Sequence, residues 1–201
     1  MDWINVVSIV VGILGLIGTL YFGIKSRRLT EKIRKFDWID IEAGVKYLNR
    51  RVARKFQPDI IVTTSAGSAS IVANLFIANT EKFIPFYSGI SKKIDDEFTH
   101  EPKCKQFYMT SRWKTYIPDE VFQHKNARVL ILDDVTLSGD TLARLIELLV
   151  KNGVKRENIF SASLFATDMS ITGNRAPDVY WYRISDTHFY FPWGKSTGKG
   201  Y

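Results

Sequence analysis

The sequence predicts an α/β domain, an open and mostly parallel sheet flanked by helices, behind one N-terminal transmembrane helix. Three observations carry this expectation. From residue 40 onward, apolar runs of strand length alternate with apolar stripes at helical spacing. One of those runs, RVLIL at 128–132, drives straight into two aspartates and a Thr/Ser/Gly turn before a helix opens. And residues 3–24 carry no charge at all.

That uncharged stretch of 22 residues comes first. As a helix it spans about 33 Å, enough for the apolar core of a bilayer. A cleaved signal peptide would want positive charge before the run and a small-residue cleavage site after it. Here Asp2 precedes the run, and Lys25, Arg27 and Arg28 follow it. Those flanks favour a retained single-pass anchor over 1–24, with the domain on the cytoplasmic side. Ser8, Gly12, Gly15, Thr19 and Gly23 form a small-residue stripe along it. The stripe either lets two such helices approach closely, giving a homo-oligomer, or reflects the abundance of Gly in membrane helices. A basic juxtamembrane linker, 25–39, follows. Between 25 and 55 there are eleven Lys and Arg against four acids, so this segment accounts for the net charge of +7. It touches anionic headgroups or simply sets topology. The remainder is close to neutral, and no direct nucleic-acid binding is expected.

The domain is expected to cover 40–201. Leu29, Ile33 and Phe36 keep a helical period, which would extend the membrane helix through 25–36. Ile41, Val45, Leu48, Val52 and Phe56 form the next helical stripe, with Asp40 as its cap and Pro58 past its end. Strand and helix then alternate: a strand at 59–65, a helix at 68–79 and a strand at 84–90. A polar, Lys-rich stretch at 91–106 leads to a strand at 107–117. The apolar 128–132 is a central parallel strand. A helix at 141–152 stops at Gly153, and strands at 159–166 and 178–184 close the pattern.

Cys104 is the single cysteine, which excludes an internal disulfide and a multi-cysteine zinc site. His100, His124 and His188 show no metal-ligand spacing.

In open α/β sheets, ligands bind beyond the carboxyl ends of the strands. Asp133 and Asp134 fall at that end of the most apolar strand, and Val135 to Thr141 forms the turn into the next helix. Backbone N–H groups of such a turn and the helix N-terminus make an anion site. Ser138 and Thr141 add hydroxyl donors, and Gly139 permits close backbone approach. The carboxylates suit sugar hydroxyls or a hard cation such as Mg²⁺. The arrangement asks for a ligand with a phosphate, adjacent hydroxyls and a metal. The alternative is a plain strand-to-helix turn with solvated aspartates.

VLILDDVTLSGDT resembles the phosphoribosyl pyrophosphate (PRPP) signature of type I phosphoribosyltransferases. The resemblance implies that Asp133 and Asp134 are the catalytic and metal-binding pair, facing the ribose hydroxyls. It implies that Thr136, Leu137, Ser138, Gly139, Asp140 and Thr141 hold the 5′-phosphate. Likewise PDIIVTTSAGSAS resembles the first strand and pyrophosphate loop of that family, placing Ser65, Ala66, Gly67 and Ser68 on pyrophosphate. The loop lacks the basic side chain common in relatives, and the family's non-proline cis peptide maps onto Ser65–Ala66. Read alone, TTSAGSAS is also a helix-capping turn.

Residues 91–106 stand in the place of the family's flexible loop, with Lys92, Lys93, Lys103 and Lys105 as candidates to meet pyrophosphate. The aromatic C-terminal segment resembles the family's hood over the nucleobase, and Tyr182, His188 and Phe189 are the implied base-binding residues, with Trp193 in the same region. Two departures bear on chemistry. Leu137 stands where purine-handling relatives place a carboxylate near N7, and Thr167 near where they place a lysine that contacts the purine oxygen. The expectation is a membrane-anchored phosphoribosyltransferase using Mg²⁺-PRPP and an unidentified base, with a nucleotide or PRPP sensor as the rival.

Overall fold

The computed structural model describes residues 15–16, 18–19, 34–94, 104–185 and 189–195. The anchor expected over 1–24 lies almost wholly outside these residues. Gly15, Leu16, Gly18 and Thr19 are helical, with the Thr19 hydroxyl donating to the Gly15 carbonyl at 2.8 Å. Among the described residues, no helix is long and apolar enough to cross a membrane.

The elements, in chain order, are β1 (Arg34–Lys35), α1 (Trp38–Lys55), β2 (Ile60–Thr63), α2 (Ser68–Ala78), β3 (Phe86–Ser88), β4 (Ile90–Lys93), β5 (Phe107–Met109) and β6 (Trp113–Tyr116). There follow β7 (Val129–Thr136), α3 (Asp140–Lys151), β8 (Ile159–Thr167), α4 (Asp168–Thr172), β9 (Val179–Ile184), β10 (Phe189–Phe191) and β11 (Gly194–Lys195).

The larger of two compact units runs from Asp37 to Asp186. Its sheet has the order β3-β2-β7-β8-β9, with every pairing parallel. The chain steps from β2 outward to β3, then returns to the other side of β2 for β7 and continues through β8 to β9. Strand order therefore reverses between β2 and β7, and in open α/β sheets the crevice at such a reversal is where ligands bind.

Strands covered on both faces must be apolar throughout. Ile60–Thr63 and the first five residues of β7 are all buried, as are eight of the nine residues of β8, all but the half-buried Phe160. On one face Val62, Val129, Ile131 and Ile159 pack with Leu142, Leu145, Leu148 and Leu149 of α3. On the other, Ile41, Val45, Leu48 and Val52 bury one stripe of α1. Gly44 lets α1 approach the sheet: a Cβ there would lie 2.5 Å from the Trp181 ring and 2.9 Å from Leu164.

Several expectations need correction. The cap of α1 is Asp37; Asp40 sits three residues in and closes a reciprocal capping box with it. Arg34–Lys35 continue no helix, because their backbone pairs with Phe189 and Tyr190. The strand expected at 84–90 is two strands in different sheets, broken at Gly89, whose N–H donates to the Thr63 carbonyl. The strand expected at 107–117 is a hairpin, β5 and β6, turned at Thr110, whose hydroxyl accepts from the Trp113 N–H. With β4 these strands form an antiparallel sheet of order β4-β6-β5.

The aromatic C-terminal segment also divides. Residues 179–184 form the edge strand of the main sheet, whereas β10 and β11 join β1 in a small sheet of the second unit. There Phe191 stacks between Phe36 and Trp193, with ring centroids 5.9 and 5.1 Å away.

Candidate functional site

The site is built at the carboxyl ends of β2 and β7. The register pairs Thr63 with Leu132, so the next residues on each strand, Thr64 and Asp133, come level. The Thr64 hydroxyl donates to Asp133 Oδ1, joining the two strands at the reversal. The same oxygen accepts from the Asp134 N–H at 2.9 Å, and Thr136 Oγ1 lies 3.5 Å from Asp133 Oδ2. Sequence reasoning placed the two aspartates past the strand end; they lie inside β7, which runs on to Thr136 because β8 keeps pairing with it through Ala166.

Asp133 is 8 % exposed and Asp134 is half-buried. Burial, and then the neighbouring Asp134 charge, push the Asp133 carboxyl well above its ordinary value. The Thr64 hydroxyl and the Asp134 N–H pull the other way and do not reverse the shift.

Two helices open beside this pair. Both α2 and α3 have glycine at the N-cap, Gly67 and Gly139, and neither has a capping side chain. The first N–H groups of a helix have no partner within it. At α1 and α4 side chains from Asp37 and Thr167 supply one. At α2 and α3 the cap residue supplies none, though at α3 the Asp140 N–H reaches the Ser138 hydroxyl at 3.3 Å, and both helices start from the edge where Asp133 sits. The capping-turn reading of TTSAGSAS is therefore not what the loop does. Its hydroxyls are used differently: those of Thr63 and Ser70 both donate to the Ser65 carbonyl, at 2.8 and 3.2 Å. Ala66 and Gly67 are exposed, and Ser65 and Ser68 half-buried. The described residues contain no cis peptide bond, so Ser65–Ala66 is trans.

In the loop after β7, Gly139 has φ +78°, and a Cβ there would meet the Arg175 carbonyl oxygen at 2.2 Å. Only glycine fits both the left-handed backbone and the close approach. The Leu137 carbonyl accepts from the Thr167 hydroxyl, which also accepts from the Ser170 N–H. Thr167 thus fastens the loop to the end of β8. Thr141 Oγ1 accepts from Arg144, whose Nε donates to Thr115 Oγ1 at 3.1 Å. This buried arginine braces the start of α3 against β6, over the Trp113 ring.

The remaining expected residues are less gathered. Lys92 and Lys93 lie in β4, and Lys105 donates its N–H to Asp119; residues 95–103, with Lys103, lie outside the described residues. Tyr182 is half-buried in β9, with its ring 6.3 Å from Phe165. Phe189 is buried in the second unit, 4.9 Å from Phe191, and His188 lies outside the described residues. Sequence reasoning missed Thr64, Arg144 and Arg175. Only Thr64 left a signal, a hydroxyl at the end of an apolar strand, and its meaning depends on which strand lies beside it.

This geometry defines a phosphoribosyltransferase-type fold, and comparison with solved structures agrees. A purine phosphoribosyltransferase from Pyrococcus horikoshii OT3 superposes with TM-score 0.59 at 23 % identity, over 81 % of this chain and 94 % of that one. A hypothetical protein from Neisseria gonorrhoeae with bound ppGpp gives 0.57 at 17 %, over 80 % and 89 %. The Helicobacter pylori xanthine-guanine-hypoxanthine phosphoribosyltransferase gives 0.52 at 14 %, over 80 % and 93 %. No protein-family model and no curated protein sequence matches the chain. What is shared with these structures is the fold.

The raised carboxyl of Asp133 makes a stability prediction. A group whose value is higher folded than unfolded weakens the fold at pH above the folded value. That loss fades as pH falls toward about 4, the unfolded aspartate value. Asp133→Asn keeps an acceptor for Thr64 and removes the charge. It should raise the melting temperature at pH 8 in metal- and phosphate-free buffer. The expected gain is roughly the 2–4 °C that 1 kcal/mol gives a chain of this size. The gain should shrink toward pH 4; thermal melts showing a loss at pH 8 would contradict the assignment.

Proposed function

We propose that this chain is a membrane-anchored phosphoribosyltransferase. It binds PRPP with Mg²⁺ and passes the ribosyl phosphate to a nucleobase-like acceptor, releasing pyrophosphate. The observation that carries the reading is the meeting, at the β2/β7 reversal, of the Asp133–Asp134 pair with two helix N-termini that have glycine at the cap. One ligand with two phosphate ends and sugar hydroxyls between them suits that set of groups. The α2 terminus with Ser65, Ala66, Gly67 and Ser68 takes pyrophosphate. The loop 136–141 takes the 5′-phosphate. Asp133 and Asp134 hold the ribose hydroxyls. As the bond from C1′ to pyrophosphate breaks, positive charge on the sugar ring is met by the carboxylates, and the loop N–H groups hold the phosphates in place.

Mg²⁺ fits this donor set. Both carboxylates are hard oxygen donors, and the burial and mutual repulsion that raise Asp133 are what a cation offsets. Among the described residues there is no cluster of three or more acidic, His or Cys ligands, so ligand and water oxygens would complete its shell. When bound, the ion supplies charge neutralisation at the departing pyrophosphate.

A second reading, a non-catalytic PRPP or nucleotide sensor, rests on Leu137 and Thr167. Neither offers an acid or an ammonium for a purine edge, and the Thr167 hydroxyl is already bonded on both sides. A neighbour in fold also carries bound ppGpp. The same two positions lead us to expect slow or absent turnover of hypoxanthine, guanine and xanthine, well below the 1 to 10³ per second or so usual for metabolic enzymes. The test is pyrophosphate release from Mg²⁺-PRPP by the full-length chain across a panel of bases, with PRPP affinity measured by calorimetry. Asp134→Asn should lose about tenfold or more in PRPP affinity with little change in melting temperature. PRPP or nucleotide binding without release for any base selects the sensor; unchanged affinity in the variant removes the site assignment.

The proposed anchor over 1–24, with a possible pairing face at Ser8, Gly12, Gly15, Thr19 and Gly23, places the domain in the cytoplasm. Cysteine substituted at position 2 should then react on intact cells with an impermeant thiol reagent while Cys104 stays unlabelled. Labelling of Cys104 alone would reverse the orientation.

A further inference from the structure

The proposed 5′-phosphate loop contains an acid of its own. Asp140 is the first helical residue of α3, inside the loop that is to hold a dianion. Its carboxylate is held from two sides. On one side the Ser138 hydroxyl donates to Oδ2 at 2.9 Å, and the Asp140 N–H returns a bond to Ser138 Oγ at 3.3 Å. On the other, the Arg175 guanidinium pairs with Oδ1. Arg175 comes from the turn between α4 and β9, and its backbone lies against Gly139, at the apex of the loop. Both side chains of the ion pair are about half exposed, Arg175 57 % and Asp140 49 %. An ion pair this open is worth little in stability, so it is easily exchanged for a better partner.

A hydroxyl and a guanidinium converging on one carboxylate, within an anion-binding turn, is the donor arrangement that a phosphate group would use. We propose that the Asp140 carboxylate is a stand-in for the ligand phosphate and that Arg175 is its exchangeable counter-ion. On binding, the Ser138 hydroxyl and the Arg175 guanidinium pass from the carboxylate to the phosphate oxygens. Arg175 then supplies the loop with the one cationic side chain that, among the described residues, pairs with its carboxylate. Asp140 sets how tightly that cation is given up. Arg175 is thus a positioning residue for the phosphate and Asp140 a competing anion. A dianion outbids a carboxylate for a guanidinium because bidentate, charge-assisted hydrogen bonds strengthen with charge. The inference rests on the reading that residues 136–141 hold a sugar 5′-phosphate.

The experiment is calorimetric titration of the full-length chain in detergent with ribose 5-phosphate, on wild type, Arg175→Gln, Asp140→Asn and the double variant. Wild type should bind. Arg175→Gln should bind about tenfold more weakly or worse, the scale of one charge-assisted bond. Asp140→Asn should bind more tightly than wild type, by several-fold. That gain should vanish when Arg175 is also replaced, which is the non-additivity expected of two residues sharing one interaction. Damage to the loop could weaken binding but not tighten it, so the Asp140→Asn arm separates the proposal from a structural role. If wild type binds and the three variants bind equally well, or Asp140→Asn binds more weakly, the counter-ion exchange is wrong and the proposed phosphate site stands. If wild type binds neither ribose 5-phosphate nor PRPP, the phosphate site itself is wrong.

Discussion

One hydrogen bond fixes the geometry on which the rest depends: the Thr64 hydroxyl on the Asp133 carboxylate. It closes the carboxyl ends of β2 and β7 against each other at the place where strand order reverses. Two aspartates in succession at the end of a buried strand are costly, because burial and mutual repulsion both oppose charging. The chain meets part of that cost locally, with a hydroxyl and a backbone N–H aimed at one oxygen. The part left over, expressed as the raised Asp133 carboxyl, is what a bound cation or sugar would relieve. An apolar strand running into two like charges is thus held in an unfavourable state, which is what the proposed ligand would relieve.

The helix starts follow the same division. Where the chain needs only stability, it caps: Asp37 and Asp40 close a box on α1, and Thr167 caps α4. At the two helices that begin beside the aspartates, glycine stands at the cap, and at α3 the Ser138 hydroxyl takes the first N–H from outside the helix. Around the second of these, buried groups hold the loop in shape. Arg144 braces Thr141 against β6, and Thr167 anchors the Leu137 carbonyl. The loop is thus held from behind.

Much of this was legible in the sequence. The order of strands and helices in the main unit, and the loop after β7, follow from apolar periodicity and from the DDVTLSGDT turn. The sequence periodicity could not show that β7 runs through both aspartates, since two charges look like a strand end until a neighbouring strand is known to keep pairing. Nor could it separate β3 from β4, where a strand-like run hides a change of sheet, or β5 from β6, where it hides a hairpin turn. Thr64, Arg144 and Arg175 act across 69, 29 and 35 residues of sequence respectively. Partnerships at that distance are set by topology, and local pattern carries no trace of them. The aromatic C-terminal segment read as one hood, but half of it is the edge strand of the main sheet, an outcome fixed by pairing with β8.

The central proposal is that the Asp133–Asp134 pair is a strained carboxylate site that Mg²⁺ and PRPP complete. Carboxyl-carbon NMR of the aspartate-labelled chain tests it directly. Without ligand, Asp133 should titrate above the ordinary aspartate value of about 3.9. On addition of Mg²⁺ and PRPP its titration should move down, because a bound cation favours the charged carboxylate. A titration of Asp133 that is the same with and without the ligand would contradict the account.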